Sequence, residues 1–329
     1  MTRIAVLDDY LHIAADAADW TSLDAEVVFF HDTLHDEEAL VARLASFDAI
    51  VMMRERTRFP RSVLDRLPNL GLLAGTGRRQ NHVDVEAATA LGIPVCMTTG
   101  GGAHGDTTAE LTWALVLALS RHVAWEDAQM RQGRWQTRRA EGLGGRTLGI
   151  LGLGRIGHIV ARYARAFEMD LIAWGPTLDA RRAARHGAER VEWDALFARS
   201  DILTIHVPLS DKSRGWIGAR EFGLMKDSAF LINTSRGPII QQDALLDALR
   251  SRRIAGAGLD VYDEEPLPAD HPLLSLDNVL LTPHLGYSTE DMLQQFYADS
   301  LDNVRAWMDG APTNVLNTEV LERRRRFSE

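Results

Sequence analysis

Only one cysteine, Cys96, occurs in the 329 residues. An intramolecular disulfide and a cysteine-rich metal site are therefore both excluded, and no metal is expected. Long apolar runs are missing too. The longest, WALVLAL at 113–119, falls far short of the roughly 20 residues a membrane-spanning helix needs. The opening MTRIAVLDDY reads as a strand, without the apolar stretch of a secretion signal. Positive charge is not in excess: 36 Lys and Arg face 46 Asp and Glu, a net charge of −10. That balance argues against non-specific nucleic-acid binding. The one basic run, 323–326, reads as a solvated tail. What remains is 46% hydrophobic and 25% charged, ordinary for a globular protein. The expectation is a soluble, cytoplasmic-type protein of about two domains, with no membrane or nucleic-acid partner.

Strand-like and helix-like segments alternate along the chain. Up to residue 99, strands read at RIAVLDD, EVVFFHD, AIVMMR, LGLLAGTG and IPVCMT. Helices are expected near 11–20, 36–46, 61–67 and 83–91. Such alternation implies a parallel sheet covered on both faces. TTGGGAHGDTTAEL then interrupts the pattern, and its glycines suggest a bend between domains. A long helix follows, with Thr107 and Glu110 at capping-box spacing. The second α/β unit has strands at TLGILGL, DLIAWG, DILTIHV, AFLINTS, IAGAGLDVY and NVLLTPH. Its helices are expected near 156–167, 179–186, 193–199 and 243–252. A last helix, 289–309 with Ser288 as N-cap, returns to the first unit. The second unit is thus expected to be inserted into the first.

GLGRIG joins the first strand of that second unit to a helix with Ile156, Ile159, Val160, Tyr163 and Phe167 on one face. Strand, glycines and helix in this order suit a pyrophosphate. Gly152 permits the tight turn, Gly154 lets backbone approach the phosphates, and Gly157 lets helix and strand pack closely. The helix N-terminus adds N–H groups and a partial positive charge.

Ligands of open α/β sheets bind beyond the carboxyl ends of the strands. Three of those ends carry chemistry. INTSRG places Asn233, Thr234, Ser235 and Arg236 there, GLDVYDEEP places Asp260, Glu264 and Glu265, and TPHLGYS places His284. A base that titrates near neutrality, a carboxylate to orient it and a guanidinium to grip a substrate carboxylate suit hydride transfer at an alcohol carbon. Taken singly, each has a plainer reading: His284 as a loop hydrogen bonder, Glu265 as one charge of a solvated run, Arg236 as half of a surface pair.

Together GLGRIG, HVPLS, INTSRGPIIQQDAL, AGLDVYDEEPLP and TPHLGYST, in order over about Ala49 to Thr289, resemble the D-isomer-specific 2-hydroxyacid dehydrogenases. The resemblance implies an α/β fold of two doubly wound parallel-sheet domains. A Rossmann cofactor domain, 100–288, is inserted into a flavodoxin-like substrate domain, 1–99 with 289–329. It implies an oxidoreductase using NAD(H) or NADP(H) on a small 2-hydroxy or 2-keto acid, assembled as a homodimer. By motif, Arg236, Glu265 and His284 become the substrate-binding arginine, the glutamate before proline and the acid/base histidine. The cofactor contacts implied are Gly152, Gly154, Arg155, Ile156, Gly157, Thr177, His206, Val207, Pro208, Thr234, Ser235, Asp260, His284 and Gly286, with Asp260 on the nicotinamide carboxamide. In the first unit, Thr76 and Gly77 match positions that offer backbone N–H groups to the substrate carboxylate. Arg54 and Arg78 are further substrate-binding candidates, and a surface ion pair is the plainer reading of each.

Two departures stand out. NAD enzymes usually carry an acid about 20 residues beyond the glycines, yet here the second strand ends at Gly175. Thr177, Arg181 and Arg182 follow and could accept a 2′-phosphate. The chain also ends soon after the last helix, without the added domain of long phosphoglycerate dehydrogenases. Two competing readings stay open: a nucleotide-sensing binding protein or corepressor on the same fold, and a formate dehydrogenase, which usually has glutamine where Glu265 stands.

Overall fold

The short apolar runs near the N-terminus become parallel strands. In the computed structural model, which describes residues 1–77, 82–98 and 106–326, the chain divides into two units. These are Met1–His104 with Thr289–Glu329, and Gly105–Ser288. The first contains β1 (Thr2–Val6), α1 (Ala14–Ala17), β2 (Ala25–Phe29), α2 (Glu37–Leu44), β3 (Ala49–Met52), α3 (Arg61–Leu64), β4 (Leu72–Gly75), α4 (Val85–Ala90) and β5 (Val95–Met97). All its strand pairs are parallel, in the order β2-β1-β3-β4-β5. This is the flavodoxin-like order. Every residue of β3 and β4 is buried, as central strands with helices on both faces require. Asp36 and Asp84 start α2 and α4 by accepting the N–H of Ala39 and Ala87, the side-chain capping that exposed helix amides favour.

The second unit runs α5 (Thr107–Ser120), α6 (Val123–Met130), β6 (Thr147–Leu151), α7 (Arg155–Ala166), β7 (Asp170–Trp174), α8 (Ala180–Arg185), β8 (Glu189–Arg190), α9 (Trp193–Arg199), β9 (Ile202–Ile205), α10 (Ala219–Leu224), β10 (Phe230–Asn233), α11 (Gln242–Arg250), β11 (Gly256–Leu259) and β12 (Val279–Leu281). Its parallel sheet has the order β12-β11-β10-β9-β6-β7-β8. Strand order reverses between β6 and β9, the dinucleotide-fold arrangement with one strand added at an edge. Two apolar cores cover its two faces, one around Leu203, Leu231 and Phe222, the other around Ile150, Val160 and Val116. Gly258 lets α5 lie close on the sheet, since a Cβ there would meet Leu119 Cδ1 at 3.0 Å.

Helices α12 (Glu290–Met308) and α13 (Glu319–Arg326) belong to the first unit. The returning chain is fastened to β5: Asn317 accepts the N–H of Val95 at 2.8 Å and donates to the Ile93 carbonyl at 2.9 Å. Phe296 and Tyr297 of α12 are fully buried. Among the described residues no helix is long and apolar enough to cross a membrane. None of their His, Cys, Asp and Glu side chains group into a potential metal site.

Several local expectations are corrected. Asp106, not Thr107, caps α5 by accepting the Thr108 N–H at 3.1 Å. The cap of the last helix is Thr289, without a side-chain bond, in place of Ser288. The helix expected over 11–20 shrinks to α1, because Asp9 accepts the N–H groups of Ile13 and Ala14 and the backbone turns at His12 with φ 55°. The short helices α6 and α10, the edge strand β8 and α13 were not foreseen.

Candidate active site

The glycine turn after β6 has the geometry its motif calls for. Gly152 has φ +99°, a left-handed conformation that disfavours side chains, and a Cβ there would meet the His206 carbonyl carbon and Val207 N at 2.9 Å. The turn is therefore pressed against the strand end of β9. A Cβ on Gly157 would lie 2.3 Å from the Gly152 carbonyl oxygen, so α7 can sit on the turn only with glycine at that place. Gly154, the N-cap of α7, differs: among the described residues nothing lies within 4 Å of its Cβ position, and no side chain caps the helix. A helix N-terminus with open space before it is what a pyrophosphate fits. Arg155 pairs with Asp106 at 2.6 Å, and Ile156 packs against the core. Ser235 Oγ donates to the Val207 carbonyl at 2.5 Å, tying the loops after β9 and β10 together beside the exposed Pro208.

Where a ribose acid is common, β7 ends at Trp174 and Gly175 follows. A Cβ on Gly175 would find its nearest neighbour, Leu178 Cβ, at 3.4 Å, an ordinary contact. The next loop is exposed at Thr177, and the Arg182 guanidinium donates to the Thr177 carbonyl at 2.9 Å. Arg182 therefore lies against this loop. Arg181 is exposed.

The three chemistry-bearing strand ends form one network. His284 Nδ1 and Glu265 Oε2 lie 2.6 Å apart, with side chains 11% and 19% exposed. The other glutamate oxygen accepts the Tyr262 N–H at 2.9 Å. The carboxylate is thus held by backbone while it fixes the imidazole through Nδ1. His284 has φ +55°. Asp260 helps to hold that bend: its Oδ1 accepts the Thr282 hydroxyl at 2.6 Å and the Leu285 N–H at 2.7 Å, and its Oδ2 accepts the Gly286 N–H at 2.9 Å. Burial raises the Asp260 carboxyl pKa, while Thr282, the two amides and the nearby His284 pull it down. Asp260, expected as a cofactor contact, is thus engaged from within as the support of the histidine loop.

Arg236 opens the turn after β10. Its guanidinium donates to the Ser235 carbonyl at 2.7 Å, and Asn233 clamps the turn by donating to the Arg236 carbonyl and accepting the Ser235 N–H, both at 3.0 Å. Gly237 is obligatory here, because a Cβ would fall 2.1 Å from the Tyr262 carbonyl carbon. The Arg236 turn therefore sits directly on the backbone that carries Glu265. Thr234 is buried and bonds to Thr112 of α5 at 2.7 Å.

In the first unit the outcome is mixed. Thr76 and Gly77 follow β4, and the Arg54 guanidinium lies over Gly77, 2.1 Å from where a Cβ would be. Arg54 N–H donates to Thr76 Oγ1 at 2.7 Å. Sequence reasoning offered the N–H groups of 76 and 77 to a carboxylate. Both are engaged: Thr76 N–H with the Met52 carbonyl and Gly77 N–H with Thr98 Oγ1 at 2.8 Å. A guanidinium against a left-handed glycine is the feature that remains. Arg78 lies outside the described residues.

Electrostatics separate the histidines. Burial lowers His206 to about 3 and His82 to about 4, so both stay neutral at ordinary pH. His206 Nε2 shares a hydrogen bond with Thr204 at 2.9 Å. His284 alone among these three has a carboxylate on one nitrogen. Sequence reasoning missed Tyr262 and the threonines of α5. The latter were visible in DTTAELT, where a capping pattern claimed them.

The profile described as "D-isomer specific 2-hydroxyacid dehydrogenase, NAD binding domain" matches residues 113–286. A glyoxylate reductase of Aeropyrum pernix is 38% identical over 295 residues, covering 87% of either chain. A D-3-phosphoglycerate dehydrogenase of Archaeoglobus fulgidus is 36% identical over 291 residues, 88% of this chain and 54% of that one. The chain thus spans about half the length of that relative. The crystal structure of a phosphoglycerate oxidoreductase from Vibrio cholerae superposes with a TM-score of 0.88 at 36% identity, over 94% of this chain and all of that one.

Proposed function

The chain belongs to the D-isomer specific 2-hydroxyacid dehydrogenase family, and from that membership we propose that it reduces a small 2-keto acid to the D-2-hydroxy acid, or catalyses the reverse. The observation that carries the reading is the Glu265–His284 pair at 2.6 Å on the same backbone support as the Arg236 turn. Bound nicotinamide would supply the hydride that C2 accepts, and the open N-terminus of α7 would hold its pyrophosphate. The residues do the rest. Protonated His284 gives its Nε2 proton to the C2 oxygen as charge develops there, and Glu265 on Nδ1 holds the ring in the orientation that allows it. Arg236 grips the substrate carboxylate through its planar fork. Arg54, laid over Gly77, is proposed as a further substrate contact. Both NADH and NADPH are proposed as cofactors, in a cytoplasmic homodimer.

A sensor on the same fold has no need of an acid/base histidine with its own carboxylate. Formate oxidation removes no proton from oxygen, so the Glu265–His284 pair favours the keto-acid reading. The relatives' names make glyoxylate, hydroxypyruvate and the ketone of 3-phosphoglycerate the first acids to assay, each with NADH and NADPH. His284→Asn is expected to lower kcat by roughly 10²–10⁴-fold while cofactor affinity stays near wild type. Turnover close to wild type in that variant would refute the assignment.

A further inference from the structure

Three hydroxyls on the first turns of α5 reach the two loops that carry His284 and Arg236. Thr107 Oγ1 and Thr108 Oγ1 both donate to the Gly286 carbonyl, at 2.8 and 3.0 Å. The N–H of the same residue donates to Asp260. The peptides just after His284 are thereby held from both sides, by a buried carboxylate on the N–H side and by two threonines on the carbonyl side. Space there is tight: a Cβ on Gly286 would meet Thr108 Cγ2 at 3.1 Å and Asp260 Oδ2 at 3.3 Å.

One turn further on, Thr112 is fully buried. Its hydroxyl donates to the Thr108 carbonyl at 2.7 Å and lies 2.7 Å from Thr234 Oγ1. A hydroxyl has a single proton, so with Thr112 committed to its own helix, Thr234 donates to Thr112. Thr234 stands two residues before Arg236. The helix that offers these groups is itself fixed, since Leu115, Val116 and Leu119 are buried in the core of the same unit. A rigid rod therefore carries two bonds to the histidine loop and one to the arginine loop. Threonines facing solvent would cap or pack without reaching either.

We propose that Thr107, Thr108 and Thr112 form a positioning ladder that sets His284 and Arg236 relative to each other, Thr107 and Thr108 acting through Gly286 and Thr112 acting through Thr234. The proposal rests on the acid/base and carboxylate roles given above. Displacement of a reacting group by about 1 Å can cost up to about a hundredfold in rate, so hydroxyls that fix two loops bear on turnover without touching substrate.

The test replaces hydroxyl by methyl at nearly constant shape. In the full-length enzyme, the double variant Thr107→Val, Thr108→Val is expected to lower kcat about tenfold, with KM for NADH within about twofold. Thr112→Val is expected to raise KM for the keto acid about tenfold through the loosened Arg236 turn. The matching serine variants restore the hydroxyls and are expected to recover both values. A second readout needs no turnover: the titration of the His284 imidazole in substrate-free enzyme by NMR, its resonance identified by loss in His284→Asn. In the double valine variant the midpoint should move to lower pH as the ring drifts from Glu265, and return with serine. If the double variant does not fold, Thr108→Val alone and Gly286→Ala, which pushes directly on Thr108, carry the same measurements. Valine variants with a lower Tm but wild-type kinetics and wild-type imidazole titration would show a purely structural role and overturn the ladder. A wild type inactive on every keto acid would instead count against the proposed reaction, while the imidazole titration would still decide on the ladder.

Discussion

Glu265 is the residue whose removal says most about the proton. It lies 2.6 Å from His284 and takes its own support from the Tyr262 N–H. Glu265→Gln keeps the size and loses the charge. The imidazolium then loses the anion at its Nδ1 and keeps only the more distant Asp260, so the protonated form is less favoured. Reduction needs that protonated form, so its rate should fall off at lower pH than in wild type, and the kcat profile should move toward acid. An unchanged profile would remove Glu265 from the role. Arg236→Lys asks a different question. The charge stays but the two-pronged geometry is lost. Because one fork positions both ground and transition state, KM for the keto acid should rise and kcat should fall, each by about tenfold. A defect confined to NADH affinity would assign Arg236 to the cofactor.

At the scale of elements, cofactor choice is expected to turn on the loop after β7. An acid at this strand end accepts bonds from the ribose hydroxyls and repels a 2′-phosphate. Gly175 does neither, and Arg182 is laid against the Thr177 carbonyl at 2.9 Å. Guanidinium–phosphate bonds are charge-assisted and about twice as strong as neutral ones. NADPH is expected to be used at least comparably to NADH. Gly175→Asp has room, with its nearest neighbour at 3.4 Å. It should shift the ratio of kcat/KM toward NADH by about tenfold, roughly 1.4 kcal/mol. A wild type already preferring NADH a hundredfold by order of magnitude would point to another ribose reader. The strands were legible in sequence because buried parallel strands are written as short apolar runs with turn residues between them. GLGRIG was legible because its first and last glycines, Gly152 and Gly157, each answer a specific steric demand. Helix starts were less so: Asp106, Thr107 and Thr108 are all capping residue types, and only the hydroxyl bonds to Gly286 reveal what the threonines face. The engaged amides of Thr76 and Gly77 were equally hidden, since a motif match carries no record of Thr98 as a competing acceptor.

For the whole molecule, the open question is assembly, and burial redirects the sequence argument. An apolar helix that carries a tryptophan, as α5 carries Trp113, is a candidate contact surface. Trp113 is instead buried at 8% exposure within its own unit, against Tyr163 and Phe167 with ring centroids 6.2 and 5.0 Å away. The plain core reading holds for that residue. Apolar exposure lies further along, at Val123, Met130 and Trp135, which are 55%, 56% and 74% exposed. Trp125 between them is already covered by the Arg138 guanidinium at 3.6 Å. Scattered exposed apolar residues are normal, but a tryptophan has 150–250 Å² or so to bury, and its retention at the surface is the kind of anchor found at interface centres. Closed twofold dimers are the commonest assembly. Sedimentation of the wild type should therefore give twice the chain mass over a wide concentration range. Trp135→Glu would put an unpaired charge into such a contact and should move the equilibrium toward monomer, with the fold intact by circular dichroism. A wild type that sediments as a monomer throughout would refute the dimer. A dimer unaffected by Trp135→Glu would move the contact to another face.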